Sequence, residues 1–520
     1  MKKTIMIFLL LIICALAQAQ PIRFQRTYGF SGHDNLRAKQ TPDGGYILYG
    51  HKYYNSATED ILIIKTDSTG AITWARTYGT SMYDYIWDLE ILNNSYLICG
   101  TSANWLTYPT GGFFLKIDNA GNILWVKTSD FMQNLVRTQD GGFAITSPGG
   151  LGIGYLTKLD SNLDMVWRKK YTLDSLAATV SLRTTFDGGF LIAGTMFGFN
   201  NSLDFNLIRT DSLGNILWAK MYGGDSAEWF PKVEPTFDGG CIMVGTTQSF
   251  GIAFQDVLLL KIDAIGNVQW TKTYGGVFGE NGNMVKPTLG SLGYILTGTT
   301  QGFTSGDSAN AFNTRTFLIK TDINGNVQWA RRYGLGPMDD ASNVWETDDG
   351  GYAFSGITAG IGGYYDGWLI KTDNTGSSGC NDWPTMPFVT SPTIRDSTLS
   401  FTETSDTLII GIGTVFDSIA YPTATIICLN VPGGIGDENT NQNGIEIFPN
   451  PTNGILNINT REIKNATEVF IYNSIGQMIF SEKLRDTQTS LQMSSYPSGI
   501  YFVRVLTKDN EVLCKKIIKE

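Results

Sequence analysis

One pattern recurs along the first 380 residues and leaves few folds open: T-x-D-G-G-Y-x-x-x-G, a variable loop, L-x-K-x-D-x-x-G-N-x-x-W, then x-K-x-Y-G. Its tryptophan position is held by Phe24, Trp74, Trp125, Trp167, Trp218, Trp270 and Trp329, and finally by Cys380, at intervals of 50, 51, 42, 51, 52, 59 and 51 residues. A period near fifty residues suits one four-stranded propeller blade and is too long for a solenoid coil. Seven intervals therefore predict a seven-bladed β-propeller over residues 20–380, in an all-β chain.

Each repeat divides into four apolar runs, here strands A to D, as in 36–41, 46–50, 60–65 and 71–78. The A/B junction is Asp-Gly-Gly at Asp43, Asp140, Asp187, Asp238 and Asp349, which supplies the positive φ that a tight hairpin needs. The second repeat departs with Asn93-Asn94-Ser95 and the sixth with Ser291-Leu292-Gly293. The C/D junction carries Asp67, Asp118, Asp160, Asp211, Asp263, Asp322 and Asp373. Each of these stands alone in a turn, which suits capping of backbone N–H groups better than calcium ligation. On strand D the tryptophan, a basic residue and a tyrosine follow at two-residue spacing and share one face, so they should pack between blades. The basic residues of strands C and D recur in every repeat and read as framework. Residues 22–29 match strand D yet precede the first strand A, so the N-terminal segment should complete the last blade and close the ring, which removes exposed sheet edges.

The 520 residues are 42% hydrophobic and 17% charged, with 59 glycines and 16 prolines, a composition that buries a large core and fills it with turns. A net charge of -10 removes the counterion-release term that drives binding to nucleic acid or anionic membranes. Two histidines, His33 and His51, cannot build a His-rich zinc site. No metal and no cofactor is expected.

Lys2 and Lys3, the apolar run from Ile5 to Leu16 and Ala17-Gln18-Ala19 form a basic, an apolar and a cleavage region, a signal peptide over residues 1–19 with mature Gln20. Cys14 follows Ile13 where lipidation needs a small residue. No other run reaches the roughly 18 residues of a membrane helix, so the chain reads as exported, without a transmembrane segment and as a monomeric propeller. Cys99 and Cys241 sit inside apolar strand patterns and read as buried small hydrophobes. Cys380 and Cys428 lie outside them in an exported chain and are expected to form a disulfide. Residues 381–443 break into Pro, Ser and Thr and read as an irregular β extension and linker.

The D-x-x-G-x-x-x-W rhythm of residues 22–380 resembles the repeats of quinoprotein-like propellers, with one residue fewer between Asp and Trp. It is a packing motif and carries no catalytic residue. The tail, residues 444–520, resembles the type A C-terminal sorting domain of the type IX secretion system of Bacteroidetes. The match rests on Phe448-Pro449-Asn450-Pro451-Thr452-Asn453-Gly454, on Tyr472-Asn473-Ser474-Ile475-Gly476-Gln477, on Pro497-Ser498-Gly499-Ile500-Tyr501 and on the basic end Lys515-Lys516-Ile517-Ile518-Lys519. Read from the residues alone, the tail is a small antiparallel sandwich. The resemblance implies Sec export, passage through the type IX machinery as partner, removal of the tail, and release or attachment to surface lipopolysaccharide.

Propeller ligands sit where loops of several blades converge at the channel, which directs the search to the D-to-A and B-to-C connections. Six residues after the tyrosine position of strand D an acid recurs at Asp34, Asp84, Glu228, Glu280 and Asp339, a candidate collar at the channel mouth for a cation, a cationic group or sugar hydroxyls. The competing reading is a capped, hydrated loop. The B-to-C loops carry aromatics, among them Tyr54, Trp105, Phe199, Phe254 and Tyr365, which would stack on sugar faces beside the acids or pack their own loops. His33 beside Asp34 suggests a base and its orienter, but no nucleophile motif accompanies it. The pattern thus favours a non-catalytic binding protein for a glycan or a surface protein. A carboxylate-dependent hydrolase or quinoprotein-like enzyme, and a purely structural surface component, are the other readings.

Overall fold

The computed structural model describes residues 22–430 and 446–519, apart from 30–33, 56–57, 81–82, 105–106, 150–152, 173–176, 253, 304–313, 335, 360–364, 408–410, 413–415, 420–422, 460–465, 474–477, 485–487, 495 and 508–511. The signal peptide expected over 1–19 and residues 431–443 of the expected linker lie outside the described residues. Residues 22–430 form one compact unit and the tail belongs to another.

Seven antiparallel sheets build the first unit. Their A strands are Asp34–Gln40, Tyr83–Leu92, Asn134–Arg137, Ala177–Thr184, Glu228–Pro235, Glu280–Pro287 and Asp339–Glu346. Seven apolar clusters each join two consecutive blades. Tyr49, Ile63 and Phe113 bind the first blade to the second, while Phe24, Leu36 and Leu369 bind the seventh back to the first. The circle is therefore complete. Its seal is Arg23–Gly29, which lies antiparallel to Asp366–Thr372 as strand D of the seventh blade, with Phe24 opposite Lys371 and Tyr28 opposite Gly367.

The recurring residues are framework, as their repetition predicts. The strand D tyrosine hydroxyl donates to the carbonyl of the turn glycine in the next blade, as Tyr28 does to Gly70, Tyr78 to Gly121 and Tyr222 to Gly266. The strand D tryptophan covers the same glycine, whose positive φ (+78° at Gly214) and lack of Cβ admit the ring. In the second blade Ser129 replaces the tyrosine, and the facing turn of the third blade carries Leu163 in place of glycine. The strand C cation is buried and pairs with the Asp-Gly-Gly aspartate, as Lys65 with Asp43 at 2.8 Å and Lys261 with Asp238 at 2.7 Å. The C/D aspartates accept backbone N–H bonds two and four residues on, Asp67 from Thr69 and Ala71 for example, which is the turn-capping reading.

The stretch after Cys380 is not an irregular appendage. It runs once around the propeller and gives each blade a fifth, outermost strand. Asp382–Thr385 lies on the sixth blade, Phe388–Thr390 on the fifth, Arg395–Thr398 on the fourth, Thr402–Ser405 on the third, Gly411–Ile412 on the second, Phe416–Ile419 on the first and Thr423–Asn430 on the seventh. The expected disulfide between Cys380 and Cys428 joins the two ends of this belt, with a sequence separation of 48. Cys99 and Cys241 are free and buried. Short polar strands such as Arg-Asp-Ser-Thr bury almost nothing of their own, so their register comes from the open N–H and C=O groups of strand D.

The tail is a two-sheet sandwich. A three-stranded sheet of Glu446–Phe448, Ile455–Asn459 and Gln488–Gln492 and a four-stranded sheet of Met478–Lys483, Ala466–Asn473, Gly499–Thr507 and Val512–Lys519 share a core that includes Leu456, Ile471, Val503 and Ile517. Within it Asn450 Oδ1, between Pro449 and Pro451, accepts from Ile518 N at 2.8 Å, and Thr452 N donates to Ile518 O. Met493 N donates to Gly454 O, and Tyr501 is buried with its hydroxyl on Pro497 O. Gly499 opens its strand, whereas Gly476 lies outside the described residues. Lys515 and Lys516 take register opposite Val503 and Phe502, and their side chains are outside the described ones.

Candidate binding site at the propeller mouth and axis

Four of the five collar acids have described side chains, and all four are buried: Asp84 is 1% exposed, and Glu228, Glu280 and Asp339 are 0%. Burial sets their role as loop closures. Glu228 accepts from Gly224 N and from the Thr247 hydroxyl, and Glu280 repeats this with Gly276 N and Thr300. Asp84 holds Thr80, while Asp339 holds Thr358 and meets Arg315 at 3.2 Å. A solvent-facing ring is thus not what these acids form, and the capped-loop alternative describes them. The Asp34 side chain lies outside the described residues, as does His33.

Most closures have a second carboxyl that sequence reading passed over, whereas the Asp339 closure has Arg315 in that place. Near the start of strand C stands Asp60, Asp204, Asp256 or Asp366 in four blades, and its carboxyl sits against the glycine that ends strand D. A Cβ on Gly79, Gly223, Gly275 or Gly29 would meet Oδ1 of that aspartate at 1.9 to 2.2 Å. Asp204 and Asp256 also hold their own B-to-C loops, through Phe199 N and Ile252 N. They meet the collar acid of the next blade, so that two carboxyls face one another inside a blade junction. Burial and the Glu228 carboxyl push Asp204 up to about 7, burial pushes Glu280 up to about 8 and Asp366 to about 6, and it raises Asp60 and Asp84 as well. Where the terminal glycine is absent the aspartate is too. In the second blade Asp130 follows strand D, whose last residue Ser129 lies opposite Gly112, and in the third Thr172 ends strand D opposite Ile153.

These loop anchors order the face on which D-to-A and B-to-C connections open. Phe199 lies half-buried with the Arg395 guanidinium of the belt over its ring, and Arg395 also pairs with Asp225 of the adjoining D-to-A loop. Tyr365 donates to Met338 Sδ across another such pair of loops. Phe254 is 76% exposed beside exposed Ile252. Tyr54 and Trp105 have no described side chain. His51, on strand B of the first blade, packs its ring on Tyr85, and burial lowers its pKa. Among the described residues no three His, Cys, Asp or Glu side chains gather as metal ligands.

Sequence reading looked to loops and missed strand A itself. Along it, buried apolar residues such as Ala38, Leu89, Val233 and Val285 alternate with residues that face the axis. One layer of the latter holds Arg37, Asp88 and Lys232, and the next holds Lys39, Glu90, Arg183, Glu234 and Lys286. Ion pairs link neighbouring A strands: Lys39 with Asp88 at 3.3 Å and Glu90 at 3.1 Å, and Glu234 with both Arg183 at 2.5 Å and Lys286 at 2.6 Å. Two residues before Lys232, at a bulge in the fifth blade's A strand, Phe230 is 64% exposed at a φ of +57°. A left-handed backbone is an outlier for a bulky side chain and costs about 1 to 3 kcal/mol. The available signal was charge at alternate positions of a strand that ought to be core.

The strand order defines a seven-bladed propeller followed by a small sandwich. Residues 446–520 match the family model of the secretion system C-terminal sorting domain, so the tail is a type IX sorting domain and implies export. Among solved structures, the chain is similar to Pyrococcus horikoshii acylaminoacyl peptidase, at 12% identity and a TM-score of 0.36, over 56% of this chain and 45% of that one. It thus spans less than half of that enzyme's length. It is also similar to a subtype N11 neuraminidase-like protein of A/flat-faced bat (H18N11), at 11% identity and a TM-score of 0.36, over 56% and 88% of the two chains. A third likeness is to the extracellular domain of a hybrid two component system from B. thetaiotaomicron, at 10% identity and a TM-score of 0.27, over 93% and 67%. No curated protein matches the chain.

Proposed function

We propose that this protein is a non-catalytic binding module, carried to the cell exterior by its type IX tail, that takes a glycan or a protein ligand on the face where the D-to-A and B-to-C loops open. The observation that carries this reading is Phe230, an exposed ring held at φ +57° on the innermost strand. Strain of that kind persists where the ring's placement serves a purpose other than stability, and a bulge is the device that re-aims it. Exposed Phe254 and Ile252 extend an apolar surface on which sugar faces or side chains can stack. The buried carboxyl pairs support the non-catalytic reading, since a hydrolytic pair must reach its substrate on both sides of the scissile bond.

A glycan and peptide array probed with the full mature chain tests the assignment. Phe230→Ala and Phe254→Ala should lose at least about tenfold in affinity for any ligand the parent retains, the cost of one well-packed aromatic anchor. Binding unchanged in both variants places the ligand elsewhere. Deletion of residues 444–520 should leave the chain in the periplasm, which fractionation reads.

A further inference from the structure

Two buried polar atoms with no hydrogen-bond partner lie on one face of the first blade, His51 Nδ1 and Glu59 Oε2. His51 stands opposite Ile61 in the register of strands B and C, and Glu59 comes two residues before Ile61. All three therefore point to the second blade, where Ile61 packs with Ile86 and Phe113. Tyr85 of the second blade touches both orphaned groups. Its ring meets the His51 ring edge to face, with centroids 5.5 Å apart, and its hydroxyl donates to the Glu59 carboxyl. Glu59 is 8% exposed, whereas His51 and Tyr85 are half-buried, and Tyr85 follows the closure acid Asp84 near the start of its A strand. The cluster thus lies just inside the mouth, reached by solvent at His51 and Tyr85 and closed behind Glu59. Nearly all buried polar atoms in folded proteins are paired, so two orphans beside the same tyrosine call for a common partner.

We propose that His51, Glu59 and Tyr85 form a subsite for the hydroxyl groups of a neutral sugar, entered from the mouth between the first and second blades. A hydroxyl donates and accepts at once, so one gives its proton to Glu59 Oε2 while its neighbour on the sugar ring meets His51 Nδ1 in either tautomer. The Tyr85 hydroxyl holds the carboxyl and leaves Oε2 for the ligand, and its ring supplies the apolar wall that a pyranose face needs. Charged groups fit less well. Burial and the Arg37 charge lower the His51 pKa, which keeps the imidazole neutral and works against a cation. An anion would meet the Glu59 carboxyl, whose pKa burial already raises. A metal ion lacks ligands, since among the described residues no third His, Cys, Asp or Glu joins the two. This subsite belongs to the first two blades, does not involve Phe230 or Phe254 of the fifth, and stands or falls without them.

Proton–nitrogen correlation spectra of the imidazoles in the full mature chain test the proposal, with the methyl glycosides of glucose, galactose and mannose as separate probes. The chain has two histidines, so the single variant His33→Gln assigns both sets of signals. At least one glycoside should shift the His51 Nδ1 signal saturably. Glu59→Gln should weaken that response at least about tenfold, in line with loss of a hydrogen bond to a charged group, while Lys483→Met in the tail responds as the parent does. The parent spectra need no variant and decide alone where Glu59→Gln does not fold. His51 signals unmoved by all three glycosides, the outcome when the two atoms hold a trapped water and nothing else, overturn the proposal, as does a response undiminished in folded Glu59→Gln.

Discussion

Asp204 and Glu228 meet carboxyl to carboxyl at the junction of the fourth and fifth blades, both without solvent exposure, each also holding the backbone of a different loop. Two such groups cannot both ionise at close range without cost, so the folded state retains a proton that the unfolded chain has released.

Stability should therefore fall as pH rises. Asp366, Asp204 and Glu280 titrate near 6, 7 and 8 in the folded protein and near 4 when unfolded. Between those limits the native state binds more protons, so their stabilising contribution is full below about pH 4 and is lost as pH climbs through 6 to 8. Each proton held by the folded state alone removes about 1.4 kcal/mol per pH unit. The turn aspartates act in the opposite sense. Hydrogen bonds and Lys158 depress Asp140 to about 2, and the stability it confers disappears as pH drops through that value. Thermal melts should show an optimum near pH 4 and a decline to about pH 8, and Asp204→Asn should flatten that decline.

Gly223→Ala should cost several kcal/mol, because its Cβ would lie 1.9 Å from Asp204 Oδ1. Pairing it with Asp204→Ala should restore a good part of the loss, as the second and third blades already do without either residue. Chemical denaturation of the two single variants and the double variant measures the coupling.

Tyr222→Phe should destabilise by about 1 to 3 kcal/mol, since the Gly266 carbonyl loses its buried 2.8 Å partner. Ser129→Tyr, by contrast, should bring no gain, because Leu163 fills the facing turn where a hydroxyl would need a glycine. Melting temperatures of the two variants separate these outcomes.

Replacing Cys380 and Cys428 by serine should lower stability by about 4 kcal/mol on the loop-entropy account of a 48-residue closure. Amide exchange should rise first in 382–430, with the A strands still protected. Loss of protection spread evenly over all seven blades would show that the belt and the propeller open as one unit.

The blades and their number were legible because Trp, Tyr and Gly must recur wherever one blade clamps the next, and Phe24 betrayed the displaced strand D. The belt was not. Thr402–Ser405 and Arg395–Thr398 have no apolar alternation, since an outermost strand takes its register from a neighbour's hydrogen bonds and leaves no face to pattern. The collar spacing was correct and its exposure was not: an acid before a strand reads the same whether it looks outward or turns back to hold Gly224 N. Arg37, Lys232 and Phe230 stayed hidden for the converse reason, since only a closed circle of strands gives the middle of a strand an open side.

The belt also acts as a ruler. Its strands meet the sixth blade first, descend to the first and finish on the seventh, so a product of duplication or deletion by one repeat would leave one outer edge bare or one girdle strand without a place, and Cys428 would miss Cys380. Synthesis delivers this segment after every repeat it must span. Its fastening thus reports that the circumference is right.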